Sequence, residues 1–226
     1  MRFLTPPTSL VSLLLYLTYF LATGVLQSQI YFEFRWGNEI IEHNKGYYFH
    51  SNKDSVNIEE LSLYISDIKI QTKDNEISKE VHLIKLNEPN SYQLTDKLLP
   101  GLKNVSFIVG LDSVLNTNMD YSGDLDPIHG LYWAWHTGYI HFKLVGKSSN
   151  SSHPKCLMDY HIGGYKYPYN TSFPLQIDHV QSIIYLDLLP LFEKKNIDPS
   201  KKYQIVIPGK EAKSIVLSLK DCFGHD

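Results

Sequence analysis

Leu125-Asp-Pro-Ile-His-Gly-Leu-Tyr-Trp-Ala-Trp-His-Thr-Gly-Tyr-Ile-His-Phe-Lys-Leu144 is the stretch on which the reading of this chain turns. It puts two tryptophans and three histidines on one predicted strand and the turn that leads into it. Side chains alternate along a strand. Trp133, Trp135, Thr137, Tyr139 and His141 are therefore expected on one face, with Tyr132, Ala134, His136, Gly138, Ile140 and Phe142 on the other. After Gly146 the chain reads as a hairpin-like connection, and Leu157-Met-Asp-Tyr-His-Ile162 as its return strand. If Gly146 pairs with about Cys156, His141 falls opposite residues near Tyr160 and His161. Cross-strand neighbours lie about 4.5–5.5 Å apart at Cβ and diagonal ones about 7–8 Å, close enough to share one ion. A one-residue register shift, or a bulge at Gly138, brings His136 to that face instead.

Neutral imidazole is the commonest protein metal ligand and suits copper, zinc, nickel and iron. Copper gains weight here from oxidisable indole and phenol rings, whereas zinc favours a closed tetrahedral set that the chain does not supply. The competing reading makes His141 a polar strand residue, His136 a core residue with one satisfied hydrogen bond, and both tryptophans plain core anchors. Asp112, Asp120, Asp124 and Asp126 occupy a polar, Gly-containing loop and offer oxygen ligands for calcium. Their spacing matches no EF-hand, and Asp in turns ordinarily caps or bends the chain. No Gly-X-Ser-X-Gly elbow, Walker loop, His-Glu-X-X-His pair or Gly-X-Gly-X-X-Gly occurs, so a binding protein rather than an enzyme is expected.

Working outward, Tyr31-Phe-Glu-Phe-Arg-Trp36 alternates as a half-buried strand should. Tyr47–His50 and Val56–Ile70 follow, the latter changing phase after Ile65 in a way that a bulge reconciles. Residues 73–80 read as a solvated loop, and Val81–Leu86, Asn104–Gly110, Phe173–Ile177 and Ser182–Leu188 as strands. Pro190–Lys195 suggests one or two helical turns. Ala212, Ile215, Val216, Leu219 and Phe223 recur at helical spacing near the end. Many short strands between Gly, Pro and Asn turns, with helices late, predict a mainly β fold: an antiparallel β-sandwich with short helical additions near the C-terminus.

Residues 1–28 read as an export signal, with Arg2 before an apolar core at Leu10 to about Leu21 and small residues at Ala22, Gly24 and Ser28. The remaining 29–226 fit one domain in a periplasmic or secreted protein, with no stable membrane span in the mature form. A net charge of −3 and no basic stripe argue against nucleic acid. Cys156 and Cys222, the only two cysteines, are a possible disulfide in an oxidising compartment.

Gly110-Leu-Asp-Ser113, Gly123-Asp-Leu-Asp-Pro127, Gly130-Leu-Tyr-Trp-Ala-Trp135, Gly138-Tyr-Ile-His-Phe-Lys-Leu144 and Tyr160-His-Ile-Gly-Gly164 together resemble the MbnP-like family, named for a periplasmic copper-binding protein associated with methanobactin. Leu61-Ser-Leu-Tyr-Ile-Ser-Asp-Ile-Lys-Ile70 is similar to the family's early strand, and the blocks stand in the same order. The resemblance implies an exported β-rich copper binder. In members, a tryptophan can be oxidised to kynurenine by a partner di-haem enzyme related to cytochrome c peroxidase and MauG. It carries over to the Trp133-Ala-Trp135 pair and to His161, with Trp36, His50 and His82 as further contributors from the N-terminal half. The chain departs from the pattern at Val145, where many relatives have Glu, and at Leu111 and Leu131. A metal-free interaction module, recognising protein or glycan through Tyr165, Tyr167 and Tyr169, is the alternative from a different class.

Overall fold

A computed structural model of the chain describes residues 29–50, 53–97, 99–118, 121–134 and 138–226. The expected export signal, residues 1–28, lies outside the described residues, as do Asp120, Trp135 and His136. In chain order the strands are β1 (Tyr31–Trp36), β2 (Glu39–Ile40), β3 (Gly46–Phe49), β4 (Asp54–Thr72), β5 (Glu76–Lys85) and β6 (Leu102–Val109). Helix α1 (Ser113–Thr117) opens a long loop that ends in β7 (Tyr132–Trp133), β8 (Gly138–Ser148) and β9 (Leu157–Gly163). Then come β10 (Phe173–Asp178), β11 (Ile183–Asp187), α2 (Leu189–Glu193), β12 (Gln204–Ile205), α3 (Lys210–Leu219) and β13 (Phe223–His225).

Among the described residues these strands form two sheets, one ordered β13-β11-β1-β2 and a larger one ordered β10-β6-β4-β8-β9-β12, to which β3, β5 and β7 add. The sheets are mixed rather than purely antiparallel, because β1 runs parallel to β11 and β12 parallel to β9. β4 is the spine: its first half pairs with β3 and β8, its second with β5 and β6. Alternation does what the period-2 pattern dictates. Phe32, Phe34 and Trp36 of β1 turn into the same core as Leu61, Leu63 and Ile65 of β4, Phe142 and Leu144 of β8, and Ile162 of β9. Helix α3 closes that core with Ala212, Ile215, Val216 and Leu219, the expected amphipathic set; Phe223 continues past it as a strand.

The opposite face of the large sheet carries a smaller core. There Tyr64 and Leu83 project outward and are covered by Leu111, Leu115, Leu125 and Leu131 from the loop and by Trp133, Tyr139 and Ile140. The phase change after Ile65 is a bulge: Ser66 and Lys69 keep their β6 partners while Asp67 swings into the left-handed region at φ 47°. Residues 76–80, expected as loop, extend β5, because β4 offers a paired edge out to Gln71. No helix among the described residues is long and apolar enough to cross a membrane.

Candidate functional site

The aromatic stretch is not one strand. Tyr132 pairs with Tyr139 and Trp133 with Gly138, so β7 and β8 form a tight hairpin whose connection holds Ala134, Trp135, His136 and Thr137. The register of the next hairpin also differs from expectation. Gly146 pairs with Met158, since the Ser148 N–H donates to the Cys156 carbonyl and the longer connection between them sets the pairing. His161 therefore stands opposite Lys143 rather than His141, and His141 occupies an irregularity between Ile140 and Phe142.

His141 is 1% exposed, and both of its ring nitrogens have internal partners. The Asn116 side chain accepts the Tyr139 N–H at 3.0 Å through Oδ1, which turns its Nδ2 toward His141 Nε2 at 2.7 Å. With Nε2 accepting, the imidazole proton sits on Nδ1 and points at Thr171 Oγ1, 2.9 Å away. The Thr171 hydroxyl in turn donates to the Gly164 carbonyl at 3.1 Å. Burial pushes the His141 pKa down to about 4, against a smaller opposing contribution from the Thr171 backbone. Gly110 sits against the ring: a Cβ there would lie 2.7 Å from Nδ1, and its φ of 85° suits glycine. His141 is thus a structural clasp joining α1, β8 and the loop after β9, and it does not fit a metal ligand. Nothing local in the sequence marks Asn116 and Thr171 as its partners; only Gly110 falls within a motif, Gly110-Leu-Asp-Ser113.

His161 is different. It lies on the outer face of β9, with Nε2 2.9 Å from Asp159 Oδ1 and its side chain 23% exposed. Asp159 Oδ1 makes no aligned hydrogen bond, so the two meet as a close polar contact that becomes an ion pair only when His161 is protonated. Burial lowers the His161 pKa, and Asp159 opposes that. Two residues along the same face, Gly163 receives the Trp133 ring, whose Cζ3 would be 3.0 Å from a Cβ at that position. Trp133 itself is 5% exposed. The structure therefore brings His161 and Trp133 onto one face of β9, while Trp135 and His136 lie outside the described residues.

The N-terminal candidates are placed elsewhere. His50, at φ 49°, holds Nδ1 2.8 Å from Asp54 Oδ2, and its Nε2 is buried without a hydrogen-bond partner among the described residues. Trp36 is a core anchor whose indole N–H donates to the Tyr48 carbonyl at 2.9 Å. His82, 6% exposed, lies 2.8 Å from the Ser91 carbonyl at Nε2, which fixes that proton, and 2.6 Å from Lys79 Nζ at Nδ1. Among the described residues no three of His, Cys, Asp and Glu gather where a metal could sit. The described imidazoles alone do not fit a shared copper.

Among the described residues the aspartates form no calcium loop. Asp112 caps α1 through the Leu115 N–H, Asp126 caps the turn at Ile128, and Asp124 accepts from the Leu83 N–H beside His82. The possible disulfide is not formed, and both thiols are free. Cys156 is exposed in the β8–β9 connection, and Cys222 is buried beneath α3, its thiol directed at the Ser218 carbonyl at 3.3 Å.

Mixed sheets packed face to face, with a loop-covered second core over one end, define a β-sandwich whose tryptophan hairpin is braced by buried polar side chains. The chain belongs to the MbnP family, whose model it matches over residues 26–208. Its fold is similar to that of MbnP from Methylosinus trichosporium, with a TM-score of 0.58 and 14% identity over 79% of this chain and 82% of that one. No curated protein matches it.

Proposed function

We propose that this MbnP-family protein is an exported, periplasmic or secreted copper-binding protein, without a reaction of its own, whose metal lies beside the β7–β8 hairpin. The observation that carries this reading is the seating of the Trp133 ring on Gly163, two residues along β9 from His161 and on the same face. With His141 and His82 committed to internal partners, and His50 at the Ser148 end of β8 away from the hairpin, the ligands fall to His161 and to His136 of the hairpin connection. Bound there, copper would supply a redox-active centre near the indole of Trp133. Oxidation of Trp133 or Trp135 to kynurenine by a di-haem partner enzyme belongs to the same proposal.

Titration calorimetry of the tag-free mature protein with Cu(I) and Cu(II) tests it. Binding tighter than about 10 μM, roughly −7 kcal/mol, is expected. His136→Ala and His161→Ala should each weaken it by about tenfold or more, 1.4 kcal/mol at least. Absent binding, or affinity indifferent to both changes, rejects the reading. Intact mass of protein purified from its host tests the oxidation, which an unshifted mass would exclude.

A metal-free interaction module is the second reading, and the specific observation in its favour is the tyrosine loop after β9. Tyr167 is 91% and Tyr169 45% exposed there. A protein whose melting temperature ignores both copper and chelators would favour this module, because a ligand present at 100 times its Kd adds about 2.7 kcal/mol.

A further inference from the structure

Four tyrosines from separate segments meet over the outer face of the large sheet. Tyr132 and Tyr139 are direct cross-strand partners in the β7–β8 hairpin, with ring centroids 5.0 Å apart. Tyr139 continues inward to Tyr64 of β4 at 5.8 Å, and Tyr132 continues outward to Tyr121 at 5.2 Å. All three contacts are edge-to-face. Tyr64 and Tyr139 are fully buried, Tyr132 is half-buried, and Tyr121 is 39% exposed. Trp133 belongs to the same buried cluster. The rings thus run without a gap from the interior to solvent.

The hydroxyls differ along this path. Tyr64 donates to the Asp124 carbonyl at 2.7 Å and Tyr139 to the Leu125 carbonyl at 2.8 Å. A backbone carbonyl accepts a hydrogen bond but is far too weak a base to take the proton. An oxidised Tyr64 or Tyr139 would stay a cation in an apolar surrounding, which is costly. At the outer end the Tyr121 and Tyr132 hydroxyls lie 3.0 Å apart and reach water, so a proton can leave. The positive charge is therefore unstable inside and relieved outside.

We propose that Tyr139, Tyr132 and Tyr121 form an electron-transfer path that carries an oxidising equivalent from the buried aromatic cluster at Trp133 to the surface, with Tyr64 packed at its inner end. The oxidant is any outer-sphere one-electron acceptor of the cluster, so the proposal does not depend on copper. The acceptor gains one electron from an indole, and Tyr132, releasing its phenolic proton at the exposed end, refills the indole by tunnelling across the packed Tyr139 ring, which is not itself oxidised. Net, the oxidant is reduced by one electron, the Tyr121–Tyr132 pair loses one electron and one phenolic proton to water, and a neutral tyrosyl radical remains there.

Pulse radiolysis with the azide radical, which oxidises indoles first and is reduced to azide, tests the chain in the full-length mature protein. Tyr47→Phe serves as the background, because Tyr47 lies 5.6 Å from Trp36 in the other core and offers a separate route. Indolyl decay and tyrosyl growth should share a first-order phase independent of protein concentration. Tyr132→Phe keeps the ring but cannot be oxidised, and should slow that phase by about tenfold or more. An unchanged phase, or one that scales with protein concentration, overturns the proposal. Tyr121→Phe, at an exposed position that the fold tolerates, is the second variant. It should remove the hydrogen-bond signature from the paramagnetic resonance spectrum of the trapped tyrosyl radical; an unaltered spectrum also overturns it.

Discussion

Asn116 and His141, 25 positions apart in the chain, are joined by a buried hydrogen bond of 2.7 Å that fixes the histidine's tautomer and anchors the base of the β7–β8 hairpin. The same amide holds the Tyr139 N–H, so one side chain ties α1 to the first residues of β8.

Asn116→Ala should therefore cost about 2–4 kcal/mol, because it strands two buried polar groups at once: the Tyr139 N–H and the His141 ring nitrogen. Urea denaturation measures the loss. A midpoint within experimental error of the parent's would show that water replaces the amide.

His141 makes stability depend on pH. Its folded-state pKa, about 4, lies below the ordinary value near 6.5, so between these values the unfolded chain binds the extra proton. The neutral buried ring contributes its full stability above about pH 6.5. That contribution shrinks as pH falls toward 4, by a total on the order of 3 kcal/mol. Unfolding free energy measured from pH 7 to 4 should fall accordingly, and His141→Gln should flatten the slope. An equal slope in the variant would assign the dependence to other groups.

Gly110→Ala should destabilise by about 2–4 kcal/mol, combining left-handed backbone strain with overpacking. The new methyl would enter the space of the His141 ring, 2.7 Å from Nδ1. Thermal unfolding checks this. An unshifted Tm would mean that the ring and its Thr171 partner move aside at no cost.

The two thiols should behave separately. Cys156 is exposed, whereas burial raises the Cys222 thiol pKa to about 12, so Cys222 holds little thiolate at neutral pH. Iodoacetamide should alkylate Cys156 in the native protein and Cys222 only after denaturation, and reductant should leave the Tm unchanged. A cross-linked Cys156–Cys222 peptide in a non-reducing map would contradict the arrangement.

Much of the sandwich was legible in the residues. Tyr31–Trp36 alternates cleanly because one face of β1 meets the core and the other meets solvent, and the misphased isoleucines of β4 mark the bulge at Asp67. The helical spacing of Ala212 to Leu219 likewise survives as α3. The hairpin is not legible in the residues, because Trp133 to His141 is also compatible with an uninterrupted strand, and the reversal between Trp133 and Gly138 lacks the Asn-Gly or Asp-Gly that announces tight turns. The pairing of β8 with β9 was offset by two residues, because the geometry of the connection, with Cys156 at φ 59°, sets it.

The chain by itself determined its strand periodicity, its two-sided sheet and the family-specific order of its aromatic blocks, because side-chain alternation and local motifs are written within a few consecutive positions. The tertiary structure alone decided which histidine is buried and spoken for. His141 owes its tautomer and its loss as a ligand to Asn116 and Thr171, and its lowered pKa to the burial that close-packed segments such as Gly110 impose. Desolvation and hydrogen bonding depend on what packs against a group, and these partners come from segments about 25 to 31 positions away in the chain, which no local pattern encodes.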